Sequence, residues 1–121
     1  MTPVSTSLRF ASLFAGPRDT CGLTTDNVAY CWGDNTSGQL GVATTEICGD
    51  AGPNTTQVPC ATRPRAVDTA LRFLWLAVGF QHTCGVATDS RADCWGSNSD
   101  GQLGDGTRND SAIPVRVKDL K

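Results

Sequence analysis

The chain repeats itself at a fixed offset of 63 residues, and no other feature restricts its fold as tightly. Leu8-Arg9-Phe10 returns as Leu71-Arg72-Phe73, and Thr20-Cys21-Gly22 returns as Thr83-Cys84-Gly85. Cys31-Trp32-Gly33 returns as Cys94-Trp95-Gly96, and Gly38-Gln39-Leu40-Gly41 as Gly101-Gln102-Leu103-Gly104. Between positions 8 and 41, 19 of 34 residues are identical at this offset. Average residue usage would give roughly two matches, so chance is excluded. Ten of the 13 glycines fall into five matched pairs. Glycine recurring in register marks points where the backbone needs a positive φ or a close approach. The repeat therefore copies a backbone shape, and a chain built this way stacks like units side by side.

Prolines give the unit length. Pro3, Pro64 and Pro114 each open an extended segment, 61 and 50 residues apart. The first interval is longer mainly because of a long loop after Gly41. This spacing divides the chain into a first repeat at 3–63, a second at 64–113, and the start of a third at 114–121. Within a unit, Thr83 to Ala87 and Ala92 to Trp95 flank Thr88-Asp89-Ser90 and read as a hairpin. Thr20 to Thr24 and Val28 to Trp32 do the same around Thr25-Asp26-Asn27. Arg72 to Val78 is apolar on both alternating faces, which predicts a strand covered on both sides. Its counterpart is Phe10 to Ala15. With the proline-led segment, each unit of about 50 residues carries about four strands. The expected fold is all-β: two consecutive four-stranded antiparallel blades of a β-propeller, a partial propeller.

The charge balance narrows the function classes. Ten Lys+Arg against twelve Asp+Glu leave a net charge of −2, without a basic cluster. Binding to nucleic acid by phosphate neutralisation is therefore not expected. No apolar run approaches the ~20 residues of a membrane-spanning helix. The start, Met1-Thr2-Pro3-Val4-Ser5, lacks the basic and apolar regions of a signal peptide. The chain is expected to be part of a longer protein, with a ring-forming homo-oligomer as the other possibility.

Six cysteines are present, with no Cys-x-x-Cys pair of the kind that holds zinc. Cys21 and Cys31 lie five residues either side of Asp26, and Cys84 and Cys94 five either side of Asp89. In a hairpin each pair stands directly opposite across two strands, within disulfide reach. Cys48 and Cys60 then remain for each other in the long loop. Three local disulfides are expected, and such usage points to an extracytoplasmic compartment.

Gly79-Phe80-Gln81-His82-Thr83-Cys84, Cys94-Trp95-Gly96-Ser97-Asn98, Gly101 to Thr107 and Pro114-Val115 together carry a specific pattern. It resembles the repeat of the regulator-of-chromosome-condensation family, and the cysteine-rich form is similar to secreted bacterial members. The resemblance implies a propeller blade, usually one of seven in a closed ring. Members of that family include a nucleotide-exchange factor that binds chromatin and a propeller inhibitor of β-lactamases. The first unit departs from the pattern twice. Asp19 stands where the second unit has His82, and 42–62 replaces the short Asp105-Gly106-Thr107 linker.

His82 is the sole histidine and has no evident nucleophile or orienting partner, so a hydrogen-bonding role within or between blades is expected. Asp19 is expected to keep a polar anchor at the matched site. Trp32 and Trp95, at matched positions, read as blade packing, and Trp75 as core. Gly96 to Gly101 faintly suggests a calcium loop but has Gly96 where that loop needs Asp, so its polar residues are expected to bond a tight turn. Three glycosylation sequons, at Asn35, Asn54 and Asn109, are taken as incidental. The long loop is the expected partner contact, through Glu46, Ile47, Asp50 and Val58, because loops on a rigid scaffold commonly carry binding. The expected function is a non-catalytic module that binds a protein or surface ligand, with no cofactor and no metal. The alternative, by family analogy, is a regulator of another enzyme, exchange-factor-like or inhibitor-like.

Overall fold

The computed structural model describes residues 9–49, 57–98 and 101–117. Nine strands run through them: β1 Phe10–Ala15, β2 Asp19–Thr24, β3 Ala29–Asp34, β4 Glu46–Cys48, β5 Val58–Ala66, β6 Phe73–Val78, β7 His82–Ala87, β8 Ala92–Gly96 and β9 Ser111–Arg116. They form two antiparallel sheets, ordered β1-β2-β3-β5-β4 and β6-β7-β8-β9. The fold is all-β, two blades of a propeller with one added edge strand, β4. No helix among the described residues is long and apolar enough to cross a membrane.

Each sheet is built from the same local instructions. The β2–β3 and β7–β8 hairpins turn at Asn27 and Ser90, both at positive φ (66° and 72°). Asn tolerates that conformation because its short polar side chain bonds locally. Cys21 stands opposite Cys31 and Cys84 opposite Cys94 in the two ladders. β1 and β6 each carry an irregularity after the leading phenylalanine, at matched positions.

The sheets are cut differently from the proline-counted units. β5 runs through Pro64 to Ala66 within the first sheet, and Pro114 lies inside β9, paired with β8. The segment read as opening a third repeat thus completes the second sheet. The difference has a simple cause. Pro64 and Pro114 each fall inside a register shift of their strand's pairing, where a missing N–H is harmless, so proline marks a bulge and not a sheet boundary.

The core lies between and within the sheets. Cys21, Leu23, Cys31, Leu40, Val67, Phe73, Leu76 and Trp95 belong to one buried cluster. Several contacts join the sheets directly. Thr83 Oγ1 donates to the Gln39 carbonyl at 3.0 Å. Asn27 Nδ2 donates to the Phe73 carbonyl at 2.8 Å, and the Phe73 N–H returns a bond to the Asn27 carbonyl. The Gly38-Gln39-Leu40-Gly41 turn presses into the second sheet: a Cβ on Gly38 would stand 2.7 Å from Ala112 Cα, and one on Gly41 2.8 Å from Trp95 Nε1.

β6 does not have the two covered faces that its apolar sequence implies. Phe73 and Leu76 are buried, whereas Leu74 and Trp75 are exposed, Trp75 by 49%. Trp75 is therefore not core. β6 is an edge strand, and only its side facing β1 and β2 is covered.

Candidate functional site

Matched asparagines organise the turn that closes each blade. Leu40 N–H donates to Asn35 Oδ1 and Leu103 N–H to Asn98 Oδ1, both at 3.0 Å. Asn35 Nδ2 donates to the Val42 carbonyl and Thr44 Oγ1. Asn98 Nδ2 donates to the Thr107 and Asn109 carbonyls. Both side chains are buried, and each amide spends its bonding capacity on the backbone and side chains of its own loop. These two residues were missed as sites, although their match at the 63-residue offset is a legible signal. Gly96 to Gly101 behaves as this turn-bonding segment through Asn98. Its Ser99 and Asp100 lie outside the described residues, and the remainder holds no cluster of three or more acidic, His or Cys ligands.

Because Asn35 holds Val42 and Thr44, it anchors the start of the insertion. The insertion then forms β4, pairs it with β5, and ties Cys48 to Cys60. Disulfides also join Cys21 to Cys31 and Cys84 to Cys94. An open cleft of about 410 Å³ results where the insertion meets the second sheet. Residues 35–38 form its floor, Ala43, Thr44 and Pro59 one wall, and Asp110 and Ala112 the other. Among the described residues the lining offers hydroxyls and one carboxylate, and no His, Cys, Lys or Arg. Such a surface can recognise polar groups and backbone.

The residues expected to make the contact are divided by the structure. Ile47 is 59% exposed on the edge strand β4. Glu46 accepts from Thr62 Oγ1 at 2.7 Å and from its N–H, and these bonds hold its carboxyl below the usual range. Val58 pairs with Cys48 and is half-buried. Asp50 lies outside the described residues. None of Glu46, Ile47 and Val58 lines the cleft; Ala43, Thr44 and Pro59 do so in their place.

Beside the cleft a polar rim joins the sheets. Arg18 bonds Asp34 at 3.2 Å, and its guanidinium sits 4.8 Å over the Phe80 ring. Burial pushes the Asp34 carboxyl up, but hydrogen bonds from Thr36 and Arg18 outweigh it and hold the group below its ordinary value. Asp19 is different. It is buried, and neither carboxylate oxygen has a donor among the described residues. Burial, with the nearby Asp34 charge, raises its pKa from 3.8 to about 7. Asp19 is thus no hydrogen-bonded anchor. Its counterpart His82 lies with its ring against Gly79, where a Cβ would stand 2.7 Å from His82 Cε1. No side-chain hydrogen bond of His82 occurs among the described residues.

Asp19 has a consequence for stability. Between about pH 4 and pH 7 the folded state keeps a proton that the unfolded chain has released. The neutral form favours folding, and this contribution is lost as pH rises through about 7. Asp19→Asn removes the unpaired charge. It is expected to raise unfolding free energy by about 1–3 kcal/mol near pH 8 and to leave it nearly unchanged near pH 4. Urea titrations of both proteins at both pH values check this, and an equal effect at the two would contradict it.

Fold and turn architecture define the class: a protein made of β-propeller blade repeats. The chain belongs to the regulator of chromosome condensation (RCC1) repeat family, whose model matches residues 26–86 and 94–121. A second model of the same repeat matches 10–39 and 76–102. The chain is 30% identical over 112 residues to the ultraviolet-B receptor UVR8 of Arabidopsis thaliana, covering 91% of this chain and 22% of the receptor. It is 36% identical over 84 residues to human alsin, covering 69% of this chain and 5% of alsin. Among solved structures it is similar to Prp20p from Saccharomyces cerevisiae, described with its binding to Gsp1p and histones. That match has a TM-score of 0.79 at 21% identity, covering 97% of this chain and 27% of Prp20p. Human WBSCR16 matches with a TM-score of 0.72 at 20% identity, over 97% of this chain and 28% of that one. The chain thus spans about a quarter or less of these relatives.

Proposed function

We propose that the chain is a non-catalytic protein-binding module whose contact surface is the insertion and the cleft beside it. One observation carries this reading: the segment that breaks the repeat also builds one wall of the cleft between the sheets. Its disulfide and the Asn35 bonds fix that wall before a partner arrives, which lowers the ordering cost of binding. The lining of hydroxyls and a carboxylate, with exposed Ile47 on the same insertion, suits a polypeptide better than a small apolar ligand. Prp20p, of similar fold, is described as binding proteins, which supports protein as the partner class. Three disulfides support a place outside the cytoplasm, secreted or at a cell surface. In that setting the module recruits or restrains a partner and does no chemistry of its own.

A shortened variant tests the site. Residues 43–57 are replaced by the Asp-Gly-Thr linker of the second unit, and Cys60 becomes Ala. β5 is retained, so the first sheet keeps its four repeat-derived strands. The full chain and this variant are compared as baits against extracellular proteins of the source organism. Partners held by the full chain are expected to be lost by the variant, with its far-UV spectrum retained. Full retention of those partners would overturn the assignment.

A further inference from the structure

The floor of the cleft has spent its hydrogen-bond donors and kept acceptors. Each backbone N–H of residues 35–38 is bonded within the chain: Asn35 to the Pro59 carbonyl, Thr36 to Asp34 Oδ1, Ser37 to Gln39 Oε1 and Gly38 to the Asn35 carbonyl. The Asn35 amide gives its hydrogens to the Val42 carbonyl and Thr44 Oγ1. Thr36 gives its hydroxyl hydrogen to Asp34 Oδ1 at 2.5 Å, which leaves only the oxygen's lone pairs. Pro59, on the wall, has no N–H to offer. The Thr36 and Ser37 carbonyls accept no hydrogen bond among the described residues. Asp110, on the opposite wall, holds a half-used carboxylate. Its Oδ1 accepts the Asn98 N–H at 2.7 Å, which fixes the side chain, and its Oδ2 has no partner among the described residues. Ion pairs among the described residues join Arg18 to Asp34 and Arg91 to Asp93, so neighbouring Arg108 does not offset the Asp110 charge.

We propose that this cleft seats a basic side chain, Lys or Arg, of a polypeptide partner, with Asp110 as its counter-charge. The proposal rests on the reading of the insertion and cleft as a protein contact and names the chemistry that contact selects. An ammonium or guanidinium group only donates, so it matches a lining that mainly accepts. A carboxylate or phosphate would meet a floor whose N–H groups are already bonded, and a like charge on Asp110. A neutral hydroxyl would leave that charge unpaired. Hydrogen bonds between ionised partners are roughly twice as strong as neutral ones, so Asp110 supplies most of the selectivity. Ala43, Pro59 and Ala112 line the same cleft and give the aliphatic stem of a long basic side chain an apolar path. The cleft lies between the two sheets, and both of its walls belong to the described residues.

The probes are capped alanine peptides whose central residue is Lys, acetyl-lysine or Glu. Binding to the full chain is followed by the amide NMR shifts of Ser37, Thr44 and Ala112. The Lys peptide is expected to move these amides along a saturable curve, and the Glu peptide to leave them in place. Acetylation keeps the stem and removes the charge, and is expected to weaken binding about tenfold. Asp110→Asn keeps an acceptor for the Asn98 N–H and is expected to weaken the Lys peptide by a similar factor of about ten. On that variant acetylation is expected to add almost nothing, because the charge it would have met is gone. Should Asp110→Asn fail to fold, the Lys and acetyl-lysine peptides on the wild type decide alone. Equal binding of those two peptides overturns the proposal, as does undiminished Lys binding by Asp110→Asn or shifts confined to residues outside the cleft. The underlying reading fails separately, through partners that the shortened variant retains. Partners lost by the shortened variant but kept by Asp110→Asn overturn the basic side chain and leave the protein contact standing.

Discussion

Trp95→Ala is expected to cost about 3–5 kcal/mol of unfolding free energy. Trp95 is fully buried, 5.8 Å from the Phe73 ring and against Gly41 of the other sheet. Removing it opens a void where the two sheets meet, so their coupling weakens together with the core. The matched change Trp32→Ala is expected to cost about half as much or less, since Trp32 is only half-buried. The indole N–H of Trp95 has no hydrogen-bond partner among the described residues. An unpaired buried donor is a cost, so Trp95→Phe is expected to recover most of the loss. Urea unfolding followed by far-UV circular dichroism measures all three. Equal losses for the two alanine variants would show that position in the repeat, and not burial between sheets, sets their worth.

This contrast also shows where reading the sequence succeeds and stops. The hairpins were legible because turn chemistry and cysteine symmetry are local: five residues either side of Asp26 place Cys21 opposite Cys31 whatever surrounds them. The strands followed from the same periodicity, and β1 begins at Phe10 and ends at Ala15 as read. Which copy of a matched pair is buried was not legible. Leu13 and Leu76 are the same residue in the same local setting, and a neighbouring sheet alone decides their exposure. Trp75 failed for the same reason, since an apolar strand at the edge of its sheet has one face uncovered. The insertion was legible as the break in the repeat. Its β4 strand and the cleft wall were not, because they depend on pairing with β5 and on Asn35 gripping Val42 and Thr44.

A second pair of matched positions isolates the contact between sheets from the strain of the backbone. Gly38→Ala is expected to cost about 2–5 kcal/mol, and Gly101→Ala about 1–2. The smaller cost is common to both, because each glycine has a positive φ that alanine adopts poorly, +81° and +74°. The excess belongs to Gly38 alone. A Cβ there would lie 2.7 Å from Ala112 Cα, 3.1 Å from its Cβ and 3.2 Å from its N. Two of these atoms are backbone, which cannot swing aside as a long side chain would. Relief requires β9 to move away from the turn, and such a shift also strains the Thr83–Gln39 bond and the seat of Gly41 on Trp95. Gly101 has open space at the same point, so its alanine variant pays only for the dihedral. The difference between the two, read from urea midpoints at constant slope, is the worth of close approach between blades. A difference near zero would mean that the turn and the second sheet touch without constraining each other.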